Sequence, residues 1–412
     1  MDAHAVDVCI AGGGPAGMMA GLLFARAGLS VAVLEKHADF LRDFRGDTIH
    51  PSTLDVIGEL GLAEAFLALP HRKVATLAGI VGAQSFPIAD FRHLPTPHRF
   101  IAMMPQWDFL DFLAAQGRRY PGFRLFMEGR VDDLIEAGGR VTGVRAETPG
   151  GPLAIAADLV IGADGRQSIV RERAGLERED FGAPMDVLWF RLSRHASDAD
   201  ATAGRFGRGH ILVTIDRGDY WQCAYVIPKA GEAALRARGL PAFRASVAAL
   251  APFLSDRVGE LRDWDDVKLL TVGVDRLKRW HRPGLLCISD AAHTMSPIGG
   301  VGINLAIQDA VAAANLLTVP LREHRLEEAD LAHVQARRMA PTRVTQWLQR
   351  LVQDRVIAPI LDESGAALKP PLPLRLFARL PWLQRLPARL IGLGFRPEHV
   401  WFAGESGPQA TP

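Results

Sequence analysis

Length, composition and charge exclude several classes of protein for this chain of 412 residues. Its 47 Lys and Arg residues nearly balance 46 Asp and Glu residues, whereas dedicated nucleic-acid-binding domains are strongly basic. With 48% hydrophobic residues, the chain is long enough for two or more domains with their own cores. The cysteines Cys9, Cys223 and Cys287 match no metal or disulfide spacing, so we expect buried thiols in a reducing cytoplasm.

The chain begins with a predicted strand, a glycine-rich loop, a helix and a second strand. The apolar run at 6–12 is typical of a buried parallel strand, and a helix is predicted over 16–27. A second strand is predicted over 30–36. The uncharged run from Val8 to Ala25 is long enough for a membrane span, but its many glycines favour a loop between strand and helix.

This loop has the pattern of a dinucleotide-binding site. Gly12, Gly14 and Gly17 form G-x-G-x-x-G, whose glycines permit a tight turn, close approach to a pyrophosphate and packing of helix on strand. The helix start then offers unpaired N–H groups to phosphates. Glu35 ends the second strand, where a carboxylate can accept the ribose hydroxyls. The predicted contacts here are Gly12, Gly14, Pro15, Ala16, Gly17, Glu35 and Lys36.

The rest of the chain alternates between two patterns. A hairpin is predicted to turn at Gly138-Gly139, and a buried strand at 158–165. Residues 176–275 are rich in aromatic and β-branched residues, typical of antiparallel strands, and 74–91 have the same character. We therefore predict an α/β protein with a Rossmann-like domain, an inserted, mainly antiparallel sheet domain and a helical C-terminal region. The predicted boundaries are 1–73, 98–175 and 276–325 for the first domain, 74–97 and 176–275 for the second, and 326–412 for the C-terminal helices and a basic apolar tail.

Two later motifs indicate which dinucleotide is bound. "DGRQSIVR" at 164–171 and "CISDAAHTMSPIGGVGINLAIQDA" at 287–310 resemble signatures of the single-component (class A) FAD-dependent aromatic monooxygenases, of the para-hydroxybenzoate hydroxylase and ubiquinone-hydroxylase type. The resemblance covers roughly residues 5–340, with the motifs in the family's order. One departure is Ser289, where the family usually has glycine; a serine there suggests slightly less room beside the ribityl chain.

The resemblance implies roles for individual residues around FAD. Asp290 would accept a hydrogen bond from the ribityl chain, and Pro297 would lie at the flavin edge. A helix beginning near Val301 would direct its positive end at the part of the ring that becomes negative on reduction. The remaining contacts implied by the resemblance are Arg45, Gln106, Asp164, Gly299, Gly300, Gly302, Ile303 and Asn304.

The family chemistry is hydroxylation. The resemblance implies that NAD(P)H reduces a non-covalently bound FAD, that O₂ forms a flavin C4a-hydroperoxide, and that this hydroxylates an aromatic or other hydrophobic small molecule. No metal-ligand set is evident. Besides Pro297, the candidate catalytic residues are Tyr225 and His71, either of which could deprotonate a phenol. Trp189, Trp221 and Gln222 are candidates for the pocket wall.

Two other functions are compatible with the same motifs. An FAD-dependent reductase or desaturase of an isoprenoid-like substrate would share them but would insert no oxygen. A non-catalytic, flavin-binding redox sensor would bind FAD without substrate-stimulated NAD(P)H oxidation. The choice between NADH and NADPH, and between a monomer and a homodimer, stays open at this point.

The C-terminal segment raises a question of location. Between Lys369 and Arg396 it has no acidic residue, and four arginines alternate with Leu, Phe and Trp382. A basic amphipathic segment with aromatic anchors can lie on an anionic membrane surface, although the prolines in it interrupt any long helix and its apolar residues could instead pack on the protein. We expect a cytoplasmic protein, with peripheral contact at the inner membrane surface as the alternative.

Overall fold

The computed structural model describes residues 4–41, 48–82, 84–198, 202–362 and 372–401. The helices of these residues are α1 Pro15–Arg26, α2 Pro51–Glu59, α3 Ala63–Leu67, α4 Gln106–Gly117, α5 Ile169–Arg173, α6 Glu232–Ala237, α7 Leu240–Leu250, α8 Gly302–Arg322, α9 Glu328–Val352, α10 Ala358–Leu361, α11 Leu372–Arg379 and α12 Arg385–Gly392. The strands are β1 His4–Ala11, β2 Val31–Glu35, β3 Thr48–Ile49, β4 Arg72–Val74, β5 Thr76–Val81, β6 Gln84–Asp90, β7 Ile101–Met103, β8 Phe123–Met127, β9 Arg130–Ala137, β10 Arg140–Thr148, β11 Gly151–Gly162, β12 Arg178–Asp180, β13 Met185–Ser193, β14 Ala203–Gly207, β15 His210–Asp216, β16 Tyr220–Pro228, β17 Lys268–Leu270, β18 Asp275–Leu277, β19 His281–Arg282, β20 Leu285–Cys287 and β21 His293–Thr294.

An eight-stranded sheet forms the first layer of the fold. Its order is β19-β20-β11-β1-β2-β8, and β20, β11, β1, β2 and β8 run parallel. The central strand β1 is apolar because helices cover both faces of a parallel sheet, and its residues Val8 to Ala11 are fully buried. Helix α1 packs between α8 and α4. The hairpin β9–β10 extends this sheet through β11 and turns at Gly138 and Gly139, as predicted.

A seven-stranded sheet forms the second layer, in the order β17-β13-β16-β15-β14-β5-β6. All its neighbours are antiparallel except β14 and β5. Residues 76–90 therefore pair at the edge of the sheet formed by the distant 185–270 region. Helices α6 and α7 cover one face, and the strands predicted within 176–275 do not include them. The alanine-rich run from 232 to 250 explains them, because alanine and leucine are the strongest helix formers.

The C-terminal elements pack against both sheets. Helix α8, with the turn before it, is long and apolar enough to cross a membrane, but 83% of its most apolar window is buried in the fold, as in a core helix. Helix α11 packs through Phe377 beside Phe86 of β6, and α12 packs through Ala388 near Phe91. The α/β fold with a Rossmann-like sheet and a separate, mainly antiparallel sheet is thus confirmed, and the three cysteines are buried and unpaired.

Candidate active site

One large cavity lies between the two sheets and is closed in part by α9 and the C-terminal helices. Its volume is about 2310 Å³. Sites for a single small ligand usually measure roughly 300–1,000 Å³, so the cavity can hold a dinucleotide and a second molecule together. Both glycine-rich loops of the sequence reach its wall.

The first glycine loop joins β1 to α1, and two of its glycines are required by the loop's own backbone. A Cβ on Gly12, at φ +106°, would lie 2.3 Å from the carbonyl oxygen of Ala163. A Cβ on Gly17 would lie 1.9 Å from the carbonyl oxygen of Gly12. Gly14 differs, because a Cβ there would meet no atom within 4 Å. Gly14 is also the N-cap of α1 and provides no side-chain cap, so the helix start presents unpaired N–H groups to the cavity.

Glu35 lies at the rim beside this loop. Its Oε2 accepts a hydrogen bond of 3.0 Å from the backbone N–H of Gly13. Its Oε1 lies 2.5 Å from Nδ1 of His37 and also accepts the His37 backbone N–H. Only 12% of the Glu35 side chain is exposed, so the carboxylate is held in one orientation. A carboxylate fixed at this place can receive the hydroxyls of an adenosine ribose.

The Asp-Gly turn after β11 contributes a buried carboxylate. Oδ2 of Asp164 accepts the backbone N–H of Val170 at 3.2 Å, whereas its Oδ1 is buried with no hydrogen-bond partner among the described residues. Burial raises the pKa of Asp164. Ser168 caps α5 by accepting the backbone N–H of Arg171, and Arg171 in turn donates to the carbonyl of Ala291. The second and third sequence motifs are therefore joined directly.

Asp290 opens onto the cavity beside a residue with unusual backbone geometry. Its Oδ2 lies 3.3 Å from Nε of Arg166, and both side chains are more than one-third exposed. The preceding Ser289 has φ +57°, a left-handed conformation that glycine adopts without steric cost. The family usually has glycine at position 289. The left-handed backbone there favours glycine, in addition to the need for room beside the ribityl chain. The Ser289 N–H donates to Asp309 Oδ2 at 3.0 Å, which holds the turn.

The second glycine loop leads into α8. Gly299 and Gly300 have φ values of +78° and +65°, and a Cβ on Gly300 would lie 2.7 Å from Oγ1 of Thr48. Gly302 has no neighbour within 4 Å of a Cβ position and is exposed to the cavity. Helix α8 has no side-chain cap at its start. Pro297, Gly300, Gly302 and Ile303 all line the cavity.

These features fit FAD. Two uncapped helix starts point into one cavity, where one can face a pyrophosphate and the other a ring system that gains negative charge. Gly14 and Gly302 leave room for a ligand at these two places. Among the described residues, Asp164 has a buried oxygen without a hydrogen-bond partner, which a ligand donor can satisfy. The cavity wall contains Gly12, Gly14, Pro15, Ala16, Glu35, Lys36, Gln106, Asp164, Asp290, Pro297, Gly300, Gly302 and Ile303 of the predicted cofactor residues.

Tyr225 and His71 do not belong to the site that the structure describes. Tyr225 is fully buried on the face of the seven-stranded sheet that α7 covers, and its Oη lies 3.0 Å from Oγ of Ser246. His71 bonds to the carbonyl of Leu69 through Nδ1 and stacks on Phe100, outside the cavity wall. Tyr225 is on the opposite face of the sheet and His71 is not part of the cavity wall, so both are corrected as catalytic candidates.

The predicted cofactor contacts need three adjustments. Asn304 is buried with its Oδ1 accepting from Ser52 and Thr53 of α2, and does not line the cavity. Gly17 serves the close packing of α1 on the loop and lies behind the wall. Arg45 lies outside the described residues. Of the predicted pocket residues, Trp189 and Gln222 line the cavity, whereas Trp221 faces the other side and donates to Asp198.

Sequence reasoning missed Arg166 and His37, which pair with the two carboxylates at the cavity wall. An isolated arginine or histidine in a loop has no pattern that identifies it. Arg166 is two residues from Asp164 in a recognised motif, and this was the one available signal. Arg166 donates to Asp290 and to the carbonyl of Thr271, which directly follows β17. It therefore links the turn at Asp290 to the edge of the seven-stranded sheet.

Comparison with known proteins assigns the chain to a family. A model of the FAD binding domain family matches residues 5–348. A 6-methylpretetramide 4-monooxygenase of Streptomyces rimosus is 35% identical over 86% of this chain and 85% of its own length. The 3-demethoxyubiquinol 3-hydroxylase of Escherichia coli is 27% identical over 82% of this chain and 87% of its own.

Solved structures agree with the fold. The structure of PqsL, a probable FAD-dependent monooxygenase from Pseudomonas aeruginosa, has 21% sequence identity and a TM-score of 0.74. The similarity covers 88% of this chain and 99% of that one. The predicted use of non-covalently bound FAD is likewise supported by the family and its relatives. The chain therefore belongs to the FAD-dependent monooxygenases of the class A aromatic hydroxylase family.

Proposed function

We propose that this protein hydroxylates a polycyclic aromatic molecule, using NAD(P)H and O₂ as co-substrates. The observation that carries the proposal is the second half of the cavity, which is wide, apolar and adjacent to Pro297. Its wall includes the cavity-facing side chains of three neighbouring strands of the seven-stranded sheet, which are Met185, Val187, Trp189, Ile211, Val213, Ile215, Gln222, Ala224 and Val226. The relative from Streptomyces rimosus, named for 6-methylpretetramide, supports a substrate with several fused rings.

FAD supplies the redox chemistry when bound, and the chain's residues supply orientation, exclusion of water and local charge. Apolar side chains from the sheet and from α9 surround the substrate and reduce access of water. A polar pair lies in this wall, where Nε of Arg217 donates to Oε1 of the buried Gln222 at 2.8 Å. This pair can orient a substrate oxygen. The start of α8 stabilises developing negative charge by about 0.3–2 kcal/mol.

The test is a screen of fused-ring aromatic compounds for stimulated NAD(P)H oxidation, followed by product analysis under ¹⁸O₂. One labelled oxygen atom in the product is expected. We further expect Ala224→Phe, which places an aromatic ring in the substrate half of the cavity, to abolish stimulation while FAD stays bound. Tyr225→Phe is the matched control, because the neighbouring residue faces the opposite side of the same strand. Equal loss in both variants would contradict the proposed substrate wall.

The same experiment separates the two alternatives. A reductase or desaturase would form product without label. A redox sensor would bind FAD but would show no compound-dependent NAD(P)H oxidation with any member of the screen. Either result would contradict the proposed hydroxylation of a fused-ring compound. It would leave the assignment of FAD as the cofactor unchanged.

The exposed side of the C-terminal helices supports a second part of the proposal, contact with an anionic membrane on the cytoplasmic side. Although α11 and α12 bury one face on the fold, Leu372, Trp382 and Leu386 are at least 60% exposed. Arg375, Arg379, Arg385 and Arg389 are exposed on the same helices. Each basic residue near an anionic surface contributes roughly 1 kcal/mol, so binding should weaken as salt rises.

Vesicle sedimentation tests this contact. Truncation is unsuitable, because Phe377 and Leu390 line the cavity. We use the full chain and the double variant Leu372→Gln, Trp382→Gln, whose exposed side chains do not line the cavity, with phosphatidylglycerol vesicles at low and high salt. The wild type should sediment at low salt and the variant should not. Equal sedimentation of the two proteins, or none of either, would exclude a membrane role for this segment. Size-exclusion chromatography of the same samples would separately distinguish a monomer from the homodimer.

A further inference from the structure

A buried network of charges lies behind the turn that presents Asp290. Asp309 of α8 accepts the Ser289 backbone N–H at 3.0 Å and contacts Nε2 of His293 at 2.7 Å through one oxygen. Its other oxygen accepts Nε of Arg338 at 2.8 Å. Asp309 and Arg338 are fully buried. Burial alone would raise the pKa of Asp309, but the neighbouring His293 and Arg338 hold it below its usual value.

The last described part of the chain completes this network. Nη1 of Arg338 lies 3.4 Å from Oε1 of Glu398, and Arg337 donates to both oxygens of Glu398 at 2.9 Å. Glu398 is 3% exposed, so its charge is enclosed by the fold. Buried charges are tolerated only when they are paired, and removal of one partner leaves the others uncompensated. Docking of Glu398 and formation of the Asp309–Arg338 pair are therefore linked.

Residues 393–401 form a strap across α2, α8 and α9, which is held at several points. Gln308 donates to the carbonyl of Leu393, and Asn315 donates to the carbonyl of His399. Glu59 of α2 accepts the backbone N–H of Val400 at 2.8 Å and lies 2.5 Å from Nδ1 of His399. Glu398 is linked through Arg338 and Asp309 to Ser289, and Gln308 also contacts Arg338, through Oε1 at 3.4 Å. Glu59 holds the same strap without touching that network.

We propose that Asp309, Arg338 and Glu398 are positioning residues for FAD, which couple docking of the strap to the left-handed Ser289 turn that presents Asp290. Ser289 is a non-glycine residue with φ +57°, a conformation that persists only where surrounding contacts impose it. Asp309 provides such a contact, and its orientation depends on Arg338. The inference rests on FAD binding, which is a family property, and is independent of which substrate is hydroxylated.

The experiment measures FAD affinity of the full chain after flavin removal. Glu398→Gln should raise the FAD dissociation constant by on the order of tenfold, the effect of weakening one hydrogen bond to a charged group. Glu59→Gln is the matched control, because it loosens the same strap at a half-exposed site, and should change the constant by less than about twofold. The unfolding free energy of each FAD-free variant is measured separately. Equal effects of the two variants, or an effect of Glu398→Gln on unfolding alone, would overturn the proposal.

A double-variant cycle identifies the route of the effect. If the network acts through the Ser289-Asp290 turn, Glu398→Gln should weaken FAD binding less when Asp290 is already replaced by Asn, because interacting residues are not additive. Additive losses of FAD affinity would show that Glu398 has only a general structural role. They would contradict coupling through the Ser289-Asp290 turn. Should Glu398→Gln not fold, Arg337→Gln applies the same test at a partly exposed position, with a smaller expected loss of FAD affinity.

Discussion

The two glycine-rich loops, at the starts of α1 and α8, have similar compositions but use their glycines differently. In the first loop, Gly12 and Gly17 are required by the loop's own backbone, since a side chain at either place would overlap a carbonyl oxygen. In the second loop, a Cβ on Gly302 would meet no atom within 4 Å. Both loops end in a helix without a side-chain cap. Gly300 of the second loop is also restricted by the fold, so the contrast lies between Gly12 and Gly17, which the backbone requires, and Gly302, which faces open space.

This difference predicts that substitutions will separate stability from FAD binding. Changes at Gly12 or Gly17 should destabilise the fold, whereas changes at Gly302 should leave a folded protein with altered affinity for FAD.

The largest effect is expected for Gly12→Ala. The new Cβ would lie 2.3 Å from the Ala163 carbonyl oxygen, at a φ of +106° that alanine avoids. Strain and overpacking together should lower the free energy of unfolding by about 4 kcal/mol. Urea unfolding of the FAD-free protein measures this loss. Gly14→Ala is the control and should stay within about 1 kcal/mol of the wild type, because its Cβ position is open. Similar losses in both would remove the distinction between these glycines.

The next largest effect concerns pH and His50, the residue at the start of α2. His50 is fully buried, donates through Nδ1 to the carbonyl of Ile391, and burial lowers its pKa from 6.5 to about 4. The folded protein therefore binds fewer protons than the unfolded chain between these values. The free energy of unfolding should therefore include the full contribution of neutral His50 above pH 6.5. It should fall by roughly 3 kcal/mol as the pH is lowered toward 4. Unfolding free energies between pH 7 and pH 4 should show a shallower decline for His50→Gln; an unchanged slope would assign the acid sensitivity elsewhere.

Asp290→Ala should weaken FAD binding and leave folding nearly unchanged, since the side chain is more than one-third exposed to the cavity. Loss of a hydrogen-bond acceptor for a ligand hydroxyl costs about 1–3 kcal/mol, or roughly ten- to a hundredfold in the dissociation constant. Fluorescence titration of the FAD-free protein measures the change. An unchanged dissociation constant would mean that the turn at Ser289 directs Asp290 away from the flavin.

The smallest effect is expected for Ser289→Gly. The left-handed conformation costs a non-glycine residue about 1–2 kcal/mol, part of which is offset by the greater entropy of glycine in the unfolded chain. The FAD-free protein should gain roughly 0.5–1 kcal/mol in unfolding free energy. Ser289→Ala should show no such gain, because alanine retains the Cβ. A gain of equal size in both variants would show that the serine hydroxyl, and not the backbone, is responsible.

Much of the fold and of the FAD site could be predicted because both depend on local patterns. The strand–loop–helix unit around Gly12 and the Ser289–Gly302 motif are contiguous in sequence, and their backbone geometry follows from glycine, proline and an uncapped helix start. The family resemblance added the cofactor. The helices α6 and α7 are not indicated by the strand-rich pattern of residues 176–275, because they form a short alanine-rich run within it.

The orientation of individual side chains could not be predicted. Tyr225 lies on β16, whose residues from Trp221 to Ile227 are buried on both faces, so alternation gives no indication of which face borders the cavity. Asn304 lies on α8, which is buried on nearly all sides, and the same argument applies. The pair of Arg166 with Asp290 joins residues 124 positions apart, a distance that no local pattern spans.

The most direct test of the two-loop account is FAD titration of the Gly302→Leu variant after flavin removal, together with its unfolding free energy. Gly302 is the first residue of α8 and opens onto the cavity, so a leucine there fits the FAD-free fold but occupies the space assigned to the flavin. We expect this variant to be as stable as the FAD-free wild type and to bind no FAD. Wild-type affinity for FAD in this variant would contradict the placement of the flavin at the start of α8.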